Sequence, residues 1–139
     1  VLDIKDWLYE ELVLREIDFR DKVKNHDWSQ YQNDFVALTC TSDAIVPAWA
    51  FMLLTMQLQP YAKKVVVGSL EQLETSIYQD VIQDLNVSEF EDKSLIIKGC
   101  TNMPVPANAY ILLSQKLRPI AKSIMYGEAC SSVPLYKRK

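Results

Sequence analysis

Three cysteines are the side chains of this 139-residue chain whose type and placement best suit chemistry. Cys40 follows the apolar run 35–39, Cys100 follows a second apolar run, and Cys130 lies three residues after Gly127. If these runs are parallel strands, all three thiols lie near the carboxyl ends of the strands, where such sheets bind ligands. A thiolate is the form that a soft metal, a sulfur carrier or a redox nucleophile requires. Three converging thiolates would suit zinc or an iron–sulfur cluster, with a fourth ligand from elsewhere.

Two readings of these cysteines remain open. Cys40 and Cys100 precede predicted helices, whose N-terminal dipole and free N–H groups favour a thiolate over a thiol. The alternative is a structural role, because cysteine is among the most buried residue types and often fills small apolar spaces. The chain has no Cys-x-x-Cys spacing, so spacing alone does not select a metal site. A gapless alignment of the repeat described below pairs Cys40 with Gly99 and Thr41 with Cys100, so the two thiols are not strictly equivalent.

The other polar candidates each have a structural explanation. His26, the single histidine, is predicted at a helix end near the negative pole of the dipole, and the alternative is a metal ligand or base. Asp43 is predicted as a helix N-cap, with a catalytic carboxylate as the alternative, and Asn102 takes the same place in the second repeat. Glu71 and Cys130 occupy matching positions of the two repeats. This match is compatible with the exchange of one ligand residue for another, and also with a loop whose sequence has diverged between the repeats. No nucleophile–histidine–acid triad can be assembled from the spacing.

The predicted secondary-structure elements that would position these residues occur twice in the sequence. Residues 46–68 and 105–127, set 59 positions apart, are identical at 11 of 23 places. Agreement of this extent predicts an internal duplication. We place the first repeat at about 7–66, the second at about 67–127, and an irregular tail at 128–139.

The order of predicted elements favours an α/β fold. Strands are predicted at 2–9, 35–39, 64–68, 94–98 and 122–126, and helices at 11–25, 44–59, 70–85 and 103–118. Strands separated by helices form parallel sheets with right-handed crossovers. We therefore expect a three-layer sandwich with a mostly parallel five-stranded sheet, built from a tandem βαβα duplication. The helix 44–59 is apolar nearly all round, so we expect it to be heavily buried.

Composition limits the possible functions. With 49% hydrophobic and 24% charged residues, the chain is predicted to form a single globular domain over 1–139. The net charge of −3, without a basic face, argues against nucleic acid as a partner. The sequence contains no run of eighteen apolar residues, so no membrane span is predicted. The odd cysteine count predicts reduced thiols in the cytoplasm, and the first residue, Val1, suggests a missing N-terminal segment.

Several segments carry a resemblance to a known family. They are DIKDWLYE, NHDWSQYQ, LTCTSDAIVPAWA, PYAKKVV, IKGC with its following Pro-Val-Pro, and AKSIMYGEACSSVPLYK. In these segments the chain resembles a family of small bacterial proteins catalogued only as domain of unknown function 2480. The resemblance implies no catalytic residues. It implies a context, because such genes are often neighbours of the Suf iron–sulfur assembly genes, which makes iron–sulfur assembly proteins candidate partners.

Three hypotheses follow. The first is a non-enzymatic accessory protein of iron–sulfur or sulfur metabolism, acting through a metal or iron–sulfur cluster held by the three cysteines. Asp43, Asn102 and Glu71 are the polar groups expected at the same edge. The second is a protein-interaction or scaffold module, able to form homo-oligomers, whose cysteines only pack. The third, ranked last because no general base is placed, is an enzyme using Cys100 or Asp43.

Overall fold

Two three-stranded sheets and four α-helices make up the part of the chain that this computed structural model describes, residues 1–99, 104–127 and 131–139. Tertiary contacts group the chain into two compact units, Val1–Ser76 and Ile77–Lys139. The prediction of an α/β fold is confirmed. The single mostly parallel five-stranded sheet, on which the predicted three-layer sandwich depends, is wrong, because the strands form two separate sheets.

The first unit contains β1 (Leu2–Asp3), α1 (Glu16–Asn25), β2 (Phe35–Thr39), α2 (Ala48–Leu58) and β3 (Lys64–Val67). The division between the units falls within α3 (Leu70–Asp84). The second unit contains β4 (Ser94–Ile97), α4 (Ala107–Leu117), β5 (Ser123–Tyr126) and β6 (Val133–Lys137). Short 3-10 turns occupy Lys5–Trp7, Trp28–Tyr31 and Ser88–Phe90.

The first sheet has the order β1-β2-β3, and all its strands are parallel. The central strand β2 is an uninterrupted apolar run, and its residues 36–38 are buried, as expected for a strand covered on both faces. The largest fully buried side chains of this unit include Ile4, Phe19, Leu54 and Leu58. This core joins α1 and α2 to the sheet.

The second sheet has the order β4-β5-β6, with β4 parallel and β6 antiparallel to the central strand β5. Strand β6 corrects the prediction of a wholly irregular tail. It carries Pro134 and is an edge strand, a position in a sheet that tolerates proline because one side of the strand needs no ladder bonds. The core of this unit is small and consists of Ile97, Leu117, Ala121 and Ile124, with half-buried neighbours.

Several predicted elements are shorter in the structure. The first strand, predicted over 2–9, ends at Asp3 and is followed by a 3-10 turn. Helices α2 and α4 begin at Ala48 and Ala107, because the prolines before them, Pro47 and Pro106, adopt extended ψ angles of 148° and 139°. A residue with that backbone lies just outside the helix and does not form its first turn.

Several local features of the two units match at positions 59 apart. Helix α4 corresponds to α2, and the register of β4 on β5 corresponds to that of β2 on β3. Asn33 N–H donates to Tyr61 O (2.9 Å), and the matching bond in the second unit runs from Asp92 N–H to Ile120 O (2.8 Å). Likewise, Gly68 N–H donates to Leu38 O (2.9 Å), and Gly127 N–H donates to Ile97 O (2.9 Å). Asn33 and Asp92 both adopt positive φ angles, and so do Gly68 and Gly127. These hydrogen bonds and backbone angles, 59 positions apart, are therefore alike in the two units.

Candidate functional site

Cys40 lies directly after β2, at the carboxyl end of the first sheet, and is half-buried. Its Sγ atom is 3.2 Å from Ser42 Oγ, and its side chain packs against the core of the first unit. Cys100, Cys130 and Asn102 lie outside the described residues. The convergence of three thiols on one edge therefore stays a prediction.

Asp3 is a residue beside Cys40 that the sequence analysis missed. Its carboxylate accepts hydrogen bonds from Thr41 Oγ1 at 2.6 Å, from Thr41 N–H at 3.2 Å and from Lys5 N–H at 2.9 Å. The Thr41 hydroxyl, together with the backbone bonds to Lys5 and Thr41 and the Lys5 charge, holds the pKa of Asp3 below its usual value. The carboxylate thus ties the end of β1 to the residues after β2, which is a structural use of the group. Because Thr41 is 38 positions away in sequence, no local pattern could have predicted this contact.

Asp43 is exposed and does not cap α2. The N-cap of α2 is Pro47, which makes no side-chain capping bond, and Ser42 Oγ accepts a bond from Ala44 N–H at 3.3 Å. The predicted N-cap role of Asp43 is therefore wrong. The N-cap of α4 is Pro106, and Asn102, predicted at the matching place, lies outside the described residues.

Glu71 is exposed in the first turn of α3, where a carboxylate suits the helix dipole. Its predicted counterpart in the second repeat, Cys130, is outside the described residues. No interaction of Glu71 with Cys40 is seen in the described part of the chain. A role of Glu71 at a ligand site stays a prediction.

His26 is the C-cap of α1, the helix end at which it was predicted. Its Nε2 atom lies 2.7 Å from Tyr31 Oη, and its ring centroid is 5.0 Å from that of Trp7 and 4.8 Å from that of Trp28. The indole N–H of Trp28 in turn donates to Val23 O at 2.8 Å. The histidine is one member of an aromatic cluster that closes the core of the first unit.

The Tyr31 hydroxyl is the other titratable group of this cluster. Burial, and then the charges of Asp27 and Asp34, raise the pKa of Tyr31 above its ordinary value. All three effects disfavour the phenolate, so the neutral hydroxyl is the form that hydrogen-bonds to His26. The arrangement suits packing and hydrogen bonding more than proton transfer.

Helix α2 presents an apolar surface to solvent on the side away from its core. Ala50, Leu54 and Leu58 are buried on one side. On the other, Met52 is 60% exposed and Met56 67% exposed, with Trp49 and the preceding Ile45 also exposed. We define the α2 face as Ile45, Trp49, Met52, Met56 and Val67, the last of which is exposed at the end of β3. The prediction that this helix is heavily buried is therefore wrong for one of its sides.

A groove of about 400 Å³ runs along the α2 face. It is lined by Ala48, Phe51, Met52, Thr55, Met56 and Val67. The surrounding segment 44–62 has no charged residue at all, whereas Asp43 directly precedes it and Lys63 directly follows it. The segment that lines most of the groove is therefore uncharged, with an acidic residue at one end and a basic residue at the other. Arg20 of α1 brings a charge from another element close to this surface, since its Cζ atom lies 5.7 Å from the centroid of the Trp49 ring.

The matching surface of α4 is more polar. At positions 59 later, Asn108 replaces Trp49 and Gln115 replaces Met56, while Ile111, 56% exposed, replaces Met52. Lys116 and Arg118 fall within the segment that matches 44–62. The exposed apolar surface is thus specific to the first unit, because α4 forms a helix of the same length with a more polar surface.

The carboxyl edge of the second sheet also differs from that of the first. Gly99 matches Cys40, and a Cβ atom at Gly99 would lie 2.7 Å from Tyr110 Oη and 3.1 Å from Tyr126 Oη. The two tyrosine rings form an edge-to-face pair with centroids 5.7 Å apart. Tyrosine hydroxyls therefore take the space that a side chain would fill, and the cysteine of this repeat, Cys100, comes one position later.

Within residues 1–99, 104–127 and 131–139, no three side chains of His, Cys, Asp or Glu come together in a way that could hold a metal ion. None of the helices in this part of the chain has the length and apolar character that crossing a membrane requires.

Comparison with known proteins gives one match. A model of the protein family described as "Protein of unknown function (DUF2480)" matches residues 1–138, which confirms the resemblance drawn from the sequence segments. Neither the curated proteins nor the solved structures include a significant match to the chain.

Proposed function

The chain belongs to the DUF2480 family of proteins of unknown function, and from this premise we propose that it is a protein-interaction module that docks through the α2 face. The observation that carries the proposal is the exposure of Met52 and Met56, two large apolar side chains on the solvent side of an uncharged helix. Contiguous exposed apolar surface of this kind marks interaction sites in soluble proteins.

The energetics favour covering this surface. Burying one methionine or isoleucine side chain completely is favourable by about 1.5–3 kcal/mol. Methionine is flexible and polarizable, so it adapts its shape to an incoming surface. Because the net charge of the chain is −3, the proposal assigns a protein surface as the partner and not nucleic acid.

Site-specific photo-crosslinking tests the proposal. A photoreactive amino acid is placed at position 52 of the full chain in the cells that make it, and the same amino acid at position 111 is the matched control. We expect adducts to identified proteins from position 52 and far fewer from position 111, because Ile111 lies in the more polar surface. Equal yields from both positions, or no adducts from position 52, would contradict a docking role for the α2 face.

The proposal includes a tandem duplication as the origin of the two units. The sequence identities and the matching hydrogen bonds 59 positions apart support it. A further matched pair is the bond from Thr55 Oγ1 to Phe51 O (2.8 Å) and that from Ser114 Oγ to Tyr110 O (2.7 Å). After such a copying event one unit can change its surface while both keep the same backbone.

A second candidate function is an accessory role in iron–sulfur or sulfur metabolism. It is favoured by the position of Cys40, half-buried at the carboxyl end of β2. In this proposal Cys40, Cys100 and Cys130 hold a metal or an iron–sulfur cluster, Asp43, Asn102 and Glu71 contribute polar groups, and iron–sulfur assembly proteins are the partners. Such a site needs a reducing compartment such as the cytoplasm.

Anaerobic purification separates the two candidates. The thiol proposal expects stoichiometric metal and sulfide with visible absorption, and it expects Cys40→Ser to lower them. Ser42→Ala is the control, because Ser42 Oγ contacts the thiol without being a thiolate ligand. A colourless, metal-free protein with unreactive thiols would remove the accessory role and leave the interaction module.

A further inference from the structure

The uncharged segment 44–62 indicates what kind of partner the α2 face fits. We infer that a second copy of this chain covers it, with α2 packing antiparallel against α2 of the other copy. This inference rests on the proposed function and names the partner of the same surface. In a twofold interface the same surface patch of each copy meets its counterpart, so a helix that carries charges of one sign would repel itself. The segment 44–62 brings no charge into such an interface.

The charges at the two ends of the segment favour the antiparallel arrangement. Asp43 precedes the α2 segment and Lys63 follows it, and both side chains are exposed. Antiparallel packing brings Asp43 of one copy towards Lys63 of the other, and the twofold axis makes this contact twice. It also sets the positive end of each helix dipole beside the negative end of the other. Exposed ion pairs add little affinity, but they select orientation.

The spacing of the apolar residues suits helix-to-helix packing. Trp49, Met52 and Met56 are separated by three and then four positions, which places them along one side of α2. An eleven-residue helix is about 16 Å long, so a crossing near Met52 keeps the whole side in contact. The groove beside Met52 and Met56 can receive the methionines of the other copy, whose flexible side chains adapt to its shape.

Sedimentation equilibrium of the purified full chain tests the inference. We expect reversible, concentration-dependent dimers for the unmodified chain. Met52→Lys places like charges near the twofold axis and should weaken association at least about tenfold. Ile111→Lys, the matched change in the second unit, should leave association within about twofold. Circular dichroism of both variants confirms that the fold is kept, and if Met52→Lys does not fold, Met56→Gln, which copies Gln115 of α4, replaces it.

The charges at the ends give an independent test of orientation. Asp43→Lys and Lys63→Asp should each weaken the dimer by about twofold to tenfold, and the double variant should restore it. Restoration supports the antiparallel arrangement. A double variant weaker than either single variant overturns it.

Failure of this inference can be distinguished from failure of the proposed function. A chain that stays monomeric at all concentrations, or dimers that resist Met52→Lys and yield to Ile111→Lys, overturns the second copy as partner. If position 52 then still crosslinks to another protein, the docking function stands with a different partner. If position 52 crosslinks only within its own chain, or to nothing, both proposals fall.

Discussion

Helices α2 and α4 have the same length, and each follows a Val-Pro pair and ends two positions before a proline, yet they present different surfaces to solvent. The residues that face the core are kept, since Ala50 and Leu58 match Ala109 and Leu117, and all four are buried. The exposed residues are not kept. The core-facing residues are thus alike in the two helices, while the exposed Met52 and Met56 of α2 are not explained by packing against the core of their own unit.

The carboxyl edges of the two sheets give a second comparison. In the first unit Cys40 fills the position after the strand, and Asp3 joins the neighbouring strand end to Thr41. In the second unit the same position is Gly99, with two tyrosine hydroxyls close to it. The edges of the two sheets therefore have different chemistry on the same backbone.

The largest expected effect is a difference in stability loss between the hydrophobic cores of the two units. Leu54 is fully buried, whereas its counterpart Leu113 is half-buried. Leu54→Ala should lower the free energy of unfolding by about 2–5 kcal/mol, because it removes a buried side chain and leaves a cavity. Leu113→Ala should cost about half as much. Urea unfolding of both variants measures the difference, and equal losses would show that the two cores are equally packed.

A smaller effect is expected at the edge of the second sheet. Gly99→Ala places a methyl group 2.7 Å from Tyr110 Oη, the far end of a side chain that can shift, so the variant should lose up to about 1 kcal/mol. Tyr110→Phe removes the oxygen, so the Gly99→Ala change should cost less in that background. Cys40→Gly, the reciprocal change in the first unit, is the control for glycine flexibility. An unchanged cost of Gly99→Ala in the Tyr110→Phe background would exclude the steric explanation.

Asp3 should make a pH-dependent contribution that is confined to the first unit. Because its folded pKa lies below the ordinary value of 3.8, its stabilisation is present above that pH and is lost as the pH falls through the folded pKa. Asp3→Asn should cost about 0.5–1 kcal/mol at neutral pH, a small effect because Asp3 is only half-buried. Thermal unfolding across the acidic range measures it. A cost of Asp3→Asn that does not shrink towards acid would contradict the assignment.

The smallest expected effect concerns Tyr31, whose counterpart in the second unit is Phe90. Its raised pKa means that its contribution to stability is present below the ordinary value of 10.0 and is lost as the pH rises through the folded pKa. The Tyr31→Phe variant should therefore lose stability less steeply in alkaline solution than the unmodified chain. Ultraviolet titration assigns the phenolate, and identical alkaline profiles of the two chains would show that Tyr31 ionises as it does in solvent.

Local patterns predicted much of the fold. The run at β2 and the repeated helix segment were recognisable because burial on both sides of a strand and helical apolar spacing leave direct signatures in sequence. The helix starts were wrong by a few residues, because Pro47 and Pro106 have an extended backbone and precede the helices.

The remaining features depend on partners that are distant along the chain. Alternation of strand and helix does not decide whether β3 and β4 join one sheet, and in the structure each is an edge strand of its own sheet. Strand β6 depends on pairing with β5, and Asp3 depends on Thr41. The exposure of Met52 could not be predicted, because a helix that is apolar all round does not show which side lacks a neighbour.

Oxidative footprinting of Met52 and Met56 tests the central claim most directly. The measurement compares their oxidation rates by a small oxidant in intact cells with those in the purified chain at high dilution. If the α2 face is a docking surface, both methionines should oxidise several-fold more slowly in cells. The oxidation rate of the half-buried Met125 serves as the internal reference in both samples. Equal relative rates of Met52 and Met56 oxidation under the two conditions would show that the α2 face stays open to solvent and would contradict the account.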